Sequence, residues 1–140
     1  MGALAAVAAG GALGAPLRVA LSKALPGPTP AATLLENAVG AFVLGAVILM
    51  LHRRPRGGGR LYAFACTGLL GSFTTFSNFT VEIVELTAES YALAIGYLLA
   101  SLAAGLAAAL AGMSFARWLI RRASREPAEE PSSTGRGGEP

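Results

Sequence analysis

Charge is what this sequence has least of. Only 14% of its 140 residues are charged, where an average soluble domain carries about 25%. The few charges gather in one short basic loop and a polar tail, and the long stretches between hold almost none. The length allows one domain, and a soluble core of that size could not hide a chain that is 54% hydrophobic. The single cysteine, Cys66, excludes an intrachain disulfide, and without a Cys or His neighbour it is no metal ligand. It reads as a small apolar residue within a span. The one histidine, His52, stands beside Arg53 and Arg54 with no carboxylate or nucleophile placed to work with it. With no nucleophile, base or metal constellation present, the chain reads as a non-enzyme, and no nucleic-acid partner is expected. Residues 1–17 contain no Lys or Arg. Signal peptides open with a basic segment, so the first apolar stretch is expected to be a retained span.

What the sequence does have is apolar runs long enough to cross a bilayer, which takes about 20 residues. Four are expected, over about 4–21, 31–51, 61–86 and 91–119, making residues 1–121 one four-span domain. Pro26-Gly27-Pro28-Thr29-Pro30 separates the first two. The basic loop His52 to Arg60 follows the second, and Thr87 to Ser90 is expected to turn the chain into the fourth, with Ser90 as its N-cap. Residues 122–140, rich in Pro, Glu, Ser and Gly, are expected to be a disordered tail. Glycines are dense in the spans: Gly10, Gly11 and Gly14, then Gly40 and Gly45, then Gly96, Gly105 and Gly112. They predict close helix packing against protein neighbours, with lipid around the outside.

The third run is unlike a simple anchor. Its centre reads Gly68-Leu69-Leu70-Gly71-Ser72-Phe73-Thr74-Thr75-Phe76-Ser77-Asn78-Phe79-Thr80. Glycines, hydroxyls and an amide crowd where Leu, Ile and Val would suffice. One reading is a regular helix whose Ser and Thr bond back to the preceding turn. The favoured one is a span broken at its centre, since irregular backbone is tolerated at membrane depth only where it faces protein or a water-filled cavity. Channels and transporters use such breaks to aim carbonyls and helix ends at ions.

At this stretch the sequence resembles the fluoride channel family known as Fluc or CrcB, which carries a TTFS-x-F element, here Thr74 to Phe79. Three further matches follow the family's order. Gly11-Ala12-Leu13-Gly14-Ala15-Pro16-Leu17-Arg18 is similar to its first-span signature. Thr33 to Phe42, with Asn37 inside it, is similar to the second. Tyr97 and Ser101 match a hydroxyl pair on the fourth. The resemblance covers about residues 3 to 119. It implies an all-α membrane protein of four helices, the third broken, working as an antiparallel dimer with two pores in the bacterial plasma membrane. It also implies pore positions at Asn37, Thr75, Phe76, Phe79, Tyr97 and Ser101, a vestibule arginine at Arg18, and a structural sodium ion held by the backbone carbonyls of Gly71 and Thr74. The spacing of Phe76 and Phe79 alone would suit lipid-facing or core packing; the surrounding motif makes them pore residues.

Chemistry makes that reading coherent. Fluoride is strongly hydrated, and a pore must replace the lost water with donors or the desolvation cost closes the path. Asn37 offers amide N–H groups, and Thr75, Tyr97 and Ser101 offer hydroxyls. A phenyl ring is positive at its edge, so Phe76 and Phe79 can meet an anion edge-on. Contacts of that weakness let an ion leave as well as arrive. Glu82 fits the acidic residue that follows the family's element. Glu36 departs from the pattern. A carboxylate inside a span is costly and needs a partner, and Arg18 is the expected one.

Arginines supply the orientation. Arg53, Arg54, Arg56 and Arg60 lie in the loop after span two, and Arg117, Arg121, Arg122 and Arg125 follow span four. With four spans both groups share one side, opposite Arg18 and Lys23, so both termini are expected in the cytoplasm. So strong a bias suits one half of an antiparallel heterodimer with a related chain better than a homodimer. The rival reading is a small four-span dimeric drug or cation antiporter. It requires a carboxylate deep in the first span, and residues 1–21 contain no Asp or Glu.

Overall fold

The computed structural model of the protein describes residues 2–24, 29–52 and 58–124. Everything described is helix or the joint between helices. Helix α1 spans Ala3–Ala24 and α2 spans Thr29–His52. A short helix α3 over Gly58–Tyr62 runs into a π-helix over Ala63–Leu70 and one further turn, α4, over Gly71–Phe73. After two extended residues come α5, Phe76–Glu89, and α6, Tyr91–Ala123. Among the described residues, three helices are long and apolar enough to cross a membrane: α1, α2 from Pro30 onward, and α6.

Several boundaries differ from the expected ones. Pro30 falls inside the first turn of α2, where its missing N–H costs nothing. Gly58, Gly59 and Arg60, expected in the basic loop, are helical, whereas Arg53, Arg54 and Arg56 lie outside the described residues. The turn expected over Thr87 to Ser90 narrows to Ser90 alone. Thr87 stays helical, its hydroxyl donating to the Ile83 carbonyl at 2.7 Å, and α5 continues to Glu89. Ser90 takes extended angles (φ −163°, ψ 126°) ahead of α6, but its side chain makes no capping bond. The helix also runs through Arg122 and Ala123, two residues expected in the tail; the expected disorder beyond Arg125 lies outside the described residues.

Lipid tails are as apolar as leucine, so burying leucine does little to join these helices, and close backbone approach must do it instead. Two crossings achieve this through missing side chains. Where α1 meets the π-helix, a Cβ on Gly10 would strike the Phe64 carbonyl, one on Gly14 the Leu69 carbonyl, and one on Gly68 the Val7 carbonyl. Where α2 meets α6, a Cβ on Gly45 would strike Ala109 and one on Gly112 would strike Phe42. Gly40 of α2 faces Thr74 and Phe73 just as closely. By contrast a Cβ on Gly96 or Gly105 would meet nothing. One face of α6 exposes Leu99, Leu106 and Leu110, a surface suited to hydrocarbon and not to water.

Candidate functional site: a cavity at the joint between two helices

The chain leaves helical geometry at Thr74 (φ −77°, ψ 155°) and Thr75 (φ −137°, ψ 120°). Asn37 on α2 holds this joint. Its side-chain carbonyl accepts from the Thr75 N–H at 2.9 Å, and its amide N–H donates to the Thr75 carbonyl, also at 2.9 Å. The Thr75 hydroxyl then caps α5 by accepting from the Asn78 N–H at 3.2 Å, and it lies 3.2 Å from the Ser77 hydroxyl. Thr74 bonds back to the Leu70 carbonyl through both its N–H and its hydroxyl, each at 3.0 Å.

These side-chain bonds release two carbonyls. In a continuous helix Gly71 O would receive the Thr75 N–H, which here goes to Asn37. Thr74 O would receive the Asn78 N–H, which here goes to the Thr75 hydroxyl. Gly71 and Thr74 are thus the positions where the diverted donors leave backbone oxygens for another use. Oxygen is the donor type that small hard cations take, and no trio of His, Cys, Asp or Glu capable of holding a metal exists among the described residues.

Asn37, Thr74, Thr75, Phe76, Phe79, Ser101 and Gly105 line one cavity of about 320 Å³ between α2, the joint, α5 and α6. Five of the six residues expected in the pore therefore meet. Phe76 is 78% exposed and Phe79 only 8%, with ring centroids 5.9 Å apart and planes tilted by 45°. The Ser101 hydroxyl is buried without a partner. Asn37 retains one amide N–H beyond the one given to Thr75. The Thr75 hydroxyl caps α5 through an oxygen lone pair, which leaves its O–H proton to be donated.

Tyr97 is the sixth residue, and it stands one layer behind. Its ring packs on Phe79 at 5.6 Å, and its hydroxyl donates to Glu82 at 2.5 Å. The other Glu82 oxygen accepts from the Thr33 hydroxyl at 2.6 Å. Glu82 is 2% exposed, so α2, α5 and α6 are joined behind the cavity by a carboxylate with two hydroxyl donors. Sequence reasoning left Thr33 unused. The signal was present in Glu82 itself, because a carboxylate in a span must find donors.

The expected pair between Arg18 and Glu36 does not form. Glu36 is 1% exposed, and one of its oxygens accepts from the Ser22 hydroxyl of α1. Its other oxygen is buried without a partner, and so is Nε of Arg18. Arg18 is half-buried on α1 and is not among the residues lining the cavity.

Long apolar helices around an open cavity beside the Thr74–Thr75 joint fit a multi-pass membrane protein. Residues 5–113 match the family described as CrcB-like protein, Camphor Resistance (CrcB), and the chain belongs to that family. A fluoride-specific ion channel FluC of Agrobacterium fabrum is 39% identical over 122 residues, covering 84% of this chain and 98% of that one. The fluoride-specific ion channel FluC 2 of Bacillus subtilis is 40% identical over 129 residues, covering 89% and 95%. That of Listeria innocua is 39% identical over 116 residues, covering 81% and 90%.

Proposed function

We propose that this chain is a subunit of a passive, fluoride-selective ion channel that lowers cytoplasmic fluoride and so protects against its toxicity. The observation that carries the reading is the cavity beside the joint, where Asn37, Ser101, Phe76 and Phe79 converge. The free Asn37 N–H and the unpartnered Ser101 hydroxyl are donors left for a small anion. The ring edges of Phe76 and Phe79 supply weaker positive contacts on its way. Among the described residues no carboxylate lines the cavity to repel it. The names of the similar chains in Agrobacterium fabrum and Bacillus subtilis support fluoride as the permeant ion.

In this reading α3, the π-helix, α4 and α5 together make the third of four spans, broken at Thr74–Thr75. The channel is a dimer of antiparallel subunits, and the carbonyls of Gly71 and Thr74 from both copies hold a structural sodium ion at their meeting point. The diverted Thr75 and Asn78 donors support that assignment, because they leave those two oxygens free in each copy. Sodium there would supply fixed positive charge that ties the two breaks together. Both termini lie in the cytoplasm of a bacterial cell, on the arginine-rich side, and the partner is a related chain of opposite bias. An inside-negative potential drives the anion outward by about 2.3 kcal/mol per 100 mV, with no coupling to ATP or protons.

Liposomes that contain the protein, with its paired homologue where one exists, test the proposal. Fluoride should leave when an ionophore sets the potential, and chloride should stay. Equal release of both anions, or of neither, overturns it.

A further inference from the structure

Helix α6 is longer than a bilayer requires. At about 1.5 Å per residue its 33 residues reach roughly 50 Å, against the ~30 Å of a hydrocarbon core. None of its residues before Arg117 is charged, so the surplus falls at the C-terminal end, where Arg117, Trp118, Arg121 and Arg122 are all exposed. Leu99, Leu106, Leu110, Arg117 and Arg121 recur at spacings of seven and four and therefore share one face. Ser114 is exposed between them, but its hydroxyl donates to the Leu110 carbonyl at 2.8 Å and is satisfied without water. An apolar stripe thus ends in two guanidinium groups one helical turn apart. Beside them stands a fixed aromatic stack. Phe42 of α2 packs on Phe115 at 5.9 Å, Phe115 stacks on Trp118 at 6.0 Å, and the Arg122 guanidinium lies 5.5 Å from the Trp118 ring centre. Arg122 is occupied with that ring, and α6 carries no Asp or Glu to meet Arg117 and Arg121. The carboxylates among the described residues lie elsewhere: Glu36 and Glu82 are held by hydroxyl donors, and Glu85 and Glu89 stand just before the start of α6.

We propose that this end of α6 binds an anionic phospholipid, with an acyl chain along Leu99, Leu106 and Leu110 and the phosphate between Arg117 and Arg121. The stripe supplies what hydrocarbon needs, and the arginine pair supplies what a phosphodiester needs, since the guanidinium fork matches phosphate geometry. A free anion gains nothing from the leucines, and a zwitterionic headgroup brings its own cation to the arginines. Trp118, level with the pair, has the amphipathic ring that settles at the membrane–water interface. A lipid seated here fixes the height of α6, the helix that brings Ser101 to the cavity. The inference stands on the membrane reading alone and not on which ion permeates.

Trp118 is the only tryptophan of the chain, so its fluorescence reads this site without a label. The full chain is reconstituted in bilayers that mix brominated phosphatidylglycerol with ordinary phosphatidylcholine, and in the converse mixture. The extent of quenching gives the relative affinity of the two lipids beside the ring. One basic side chain at an anionic surface is worth about fivefold, so the wild type should prefer phosphatidylglycerol by at least about fivefold. Arg117→Gln/Arg121→Gln should bring the preference near unity, and Arg117→Lys/Arg121→Lys, which keeps the charge, should retain most of it. Arg60→Gln should leave it unchanged, because α3 does not pack on α6. Circular dichroism checks the helices of each variant, and the wild-type preference is decisive even where a variant fails to fold. Equal quenching by both lipids in the wild type, a preference that survives in the folded Gln double variant, or an equal loss in Arg60→Gln overturns the proposal. Absence of quenching by either lipid overturns it too, since the face would then be covered by protein, either a second copy or the chain beyond residue 124.

Discussion

Asn37 and Thr75 are joined as two strands of a sheet would be, with one side-chain amide standing in for a backbone: it accepts from the Thr75 N–H and donates to the Thr75 carbonyl, both at 2.9 Å. The sequence reading gave Asn37 to the permeating anion. The structure gives half of its hydrogen-bonding capacity to the backbone and leaves one N–H over. Asn37 therefore has two duties, and they can be separated.

Asn37→Leu removes both bonds and strands two backbone groups at the joint. A loss of about 1–3 kcal/mol of stability is expected for buried polar groups left unpaired, together with loss of flux. Asn37→Asp keeps the acceptor for the Thr75 N–H but gives up both donors and adds a negative charge, so it should unfold nearer to wild type while conducting no anion. Unfolding midpoints in detergent, set beside liposome flux, read the two duties apart. Full flux in either variant would remove Asn37 from the site.

The two phenylalanines should differ. Phe76 is 78% exposed and Phe79 is 8% exposed. Exposed substitutions away from special features change stability by less than about 0.5 kcal/mol, so Phe76→Ile should fold as the wild type and lose flux through its missing ring edge. Phe79→Ile should lose flux and also soften the packing against Tyr97, lowering the unfolding midpoint. If flux survives in the double variant with normal folding, the ring-edge reading is wrong.

Glycine substitutions sort by what surrounds them. Gly112→Ala places a methyl group against the Phe42 carbonyl, and Gly45→Ala one against Ala109. Forced overpacking costs about 1–3 kcal/mol, and here the obstacle is backbone that cannot rotate away. Gly96→Ala, where a Cβ meets nothing, should be neutral or slightly stabilising because alanine favours helix. Equal melting of Gly112→Ala and Gly96→Ala would contradict the close crossing.

Orientation is tested without reference to permeation. In a Cys66→Ala background, cysteines introduced by Ser132→Cys and Pro28→Cys should label from opposite sides of intact cells, with only position 28 reached from outside. Comparable labelling of both from outside would show dual insertion and restore a homodimer.

The long helices were legible because their cause is additive: α1, α2 and α6 each hold enough consecutive apolar residues, and no neighbour needs to be known. The crowding of hydroxyls from Ser72 to Thr80 pointed to irregular backbone, and the extended angles fall at Thr74 and Thr75. Thr74 and Thr80 nonetheless bond back to carbonyls four residues earlier, as the rival reading required. The π-helix over Ala63–Leu70 had no sequence mark, because an added backbone residue per turn leaves an apolar run equally apolar. Partner choice was harder still. Whether Glu36 meets Arg18 or Ser22 depends on how α1 sits against α2, and whether Tyr97 faces the cavity or Glu82 depends on where α5 sits. Both are tertiary facts, and hydropathy and spacing do not encode them.

Gly40 and Gly45 lie five residues apart on α2, one against the Thr74 joint and the other against α6. A single residue inserted or deleted between them would swing the following helix by about 100° and lift one glycine off its seat. The interval is thus a ruler that couples the height of the joint to the grip of α6. Natural variation in chain length should accordingly be absent from this interval.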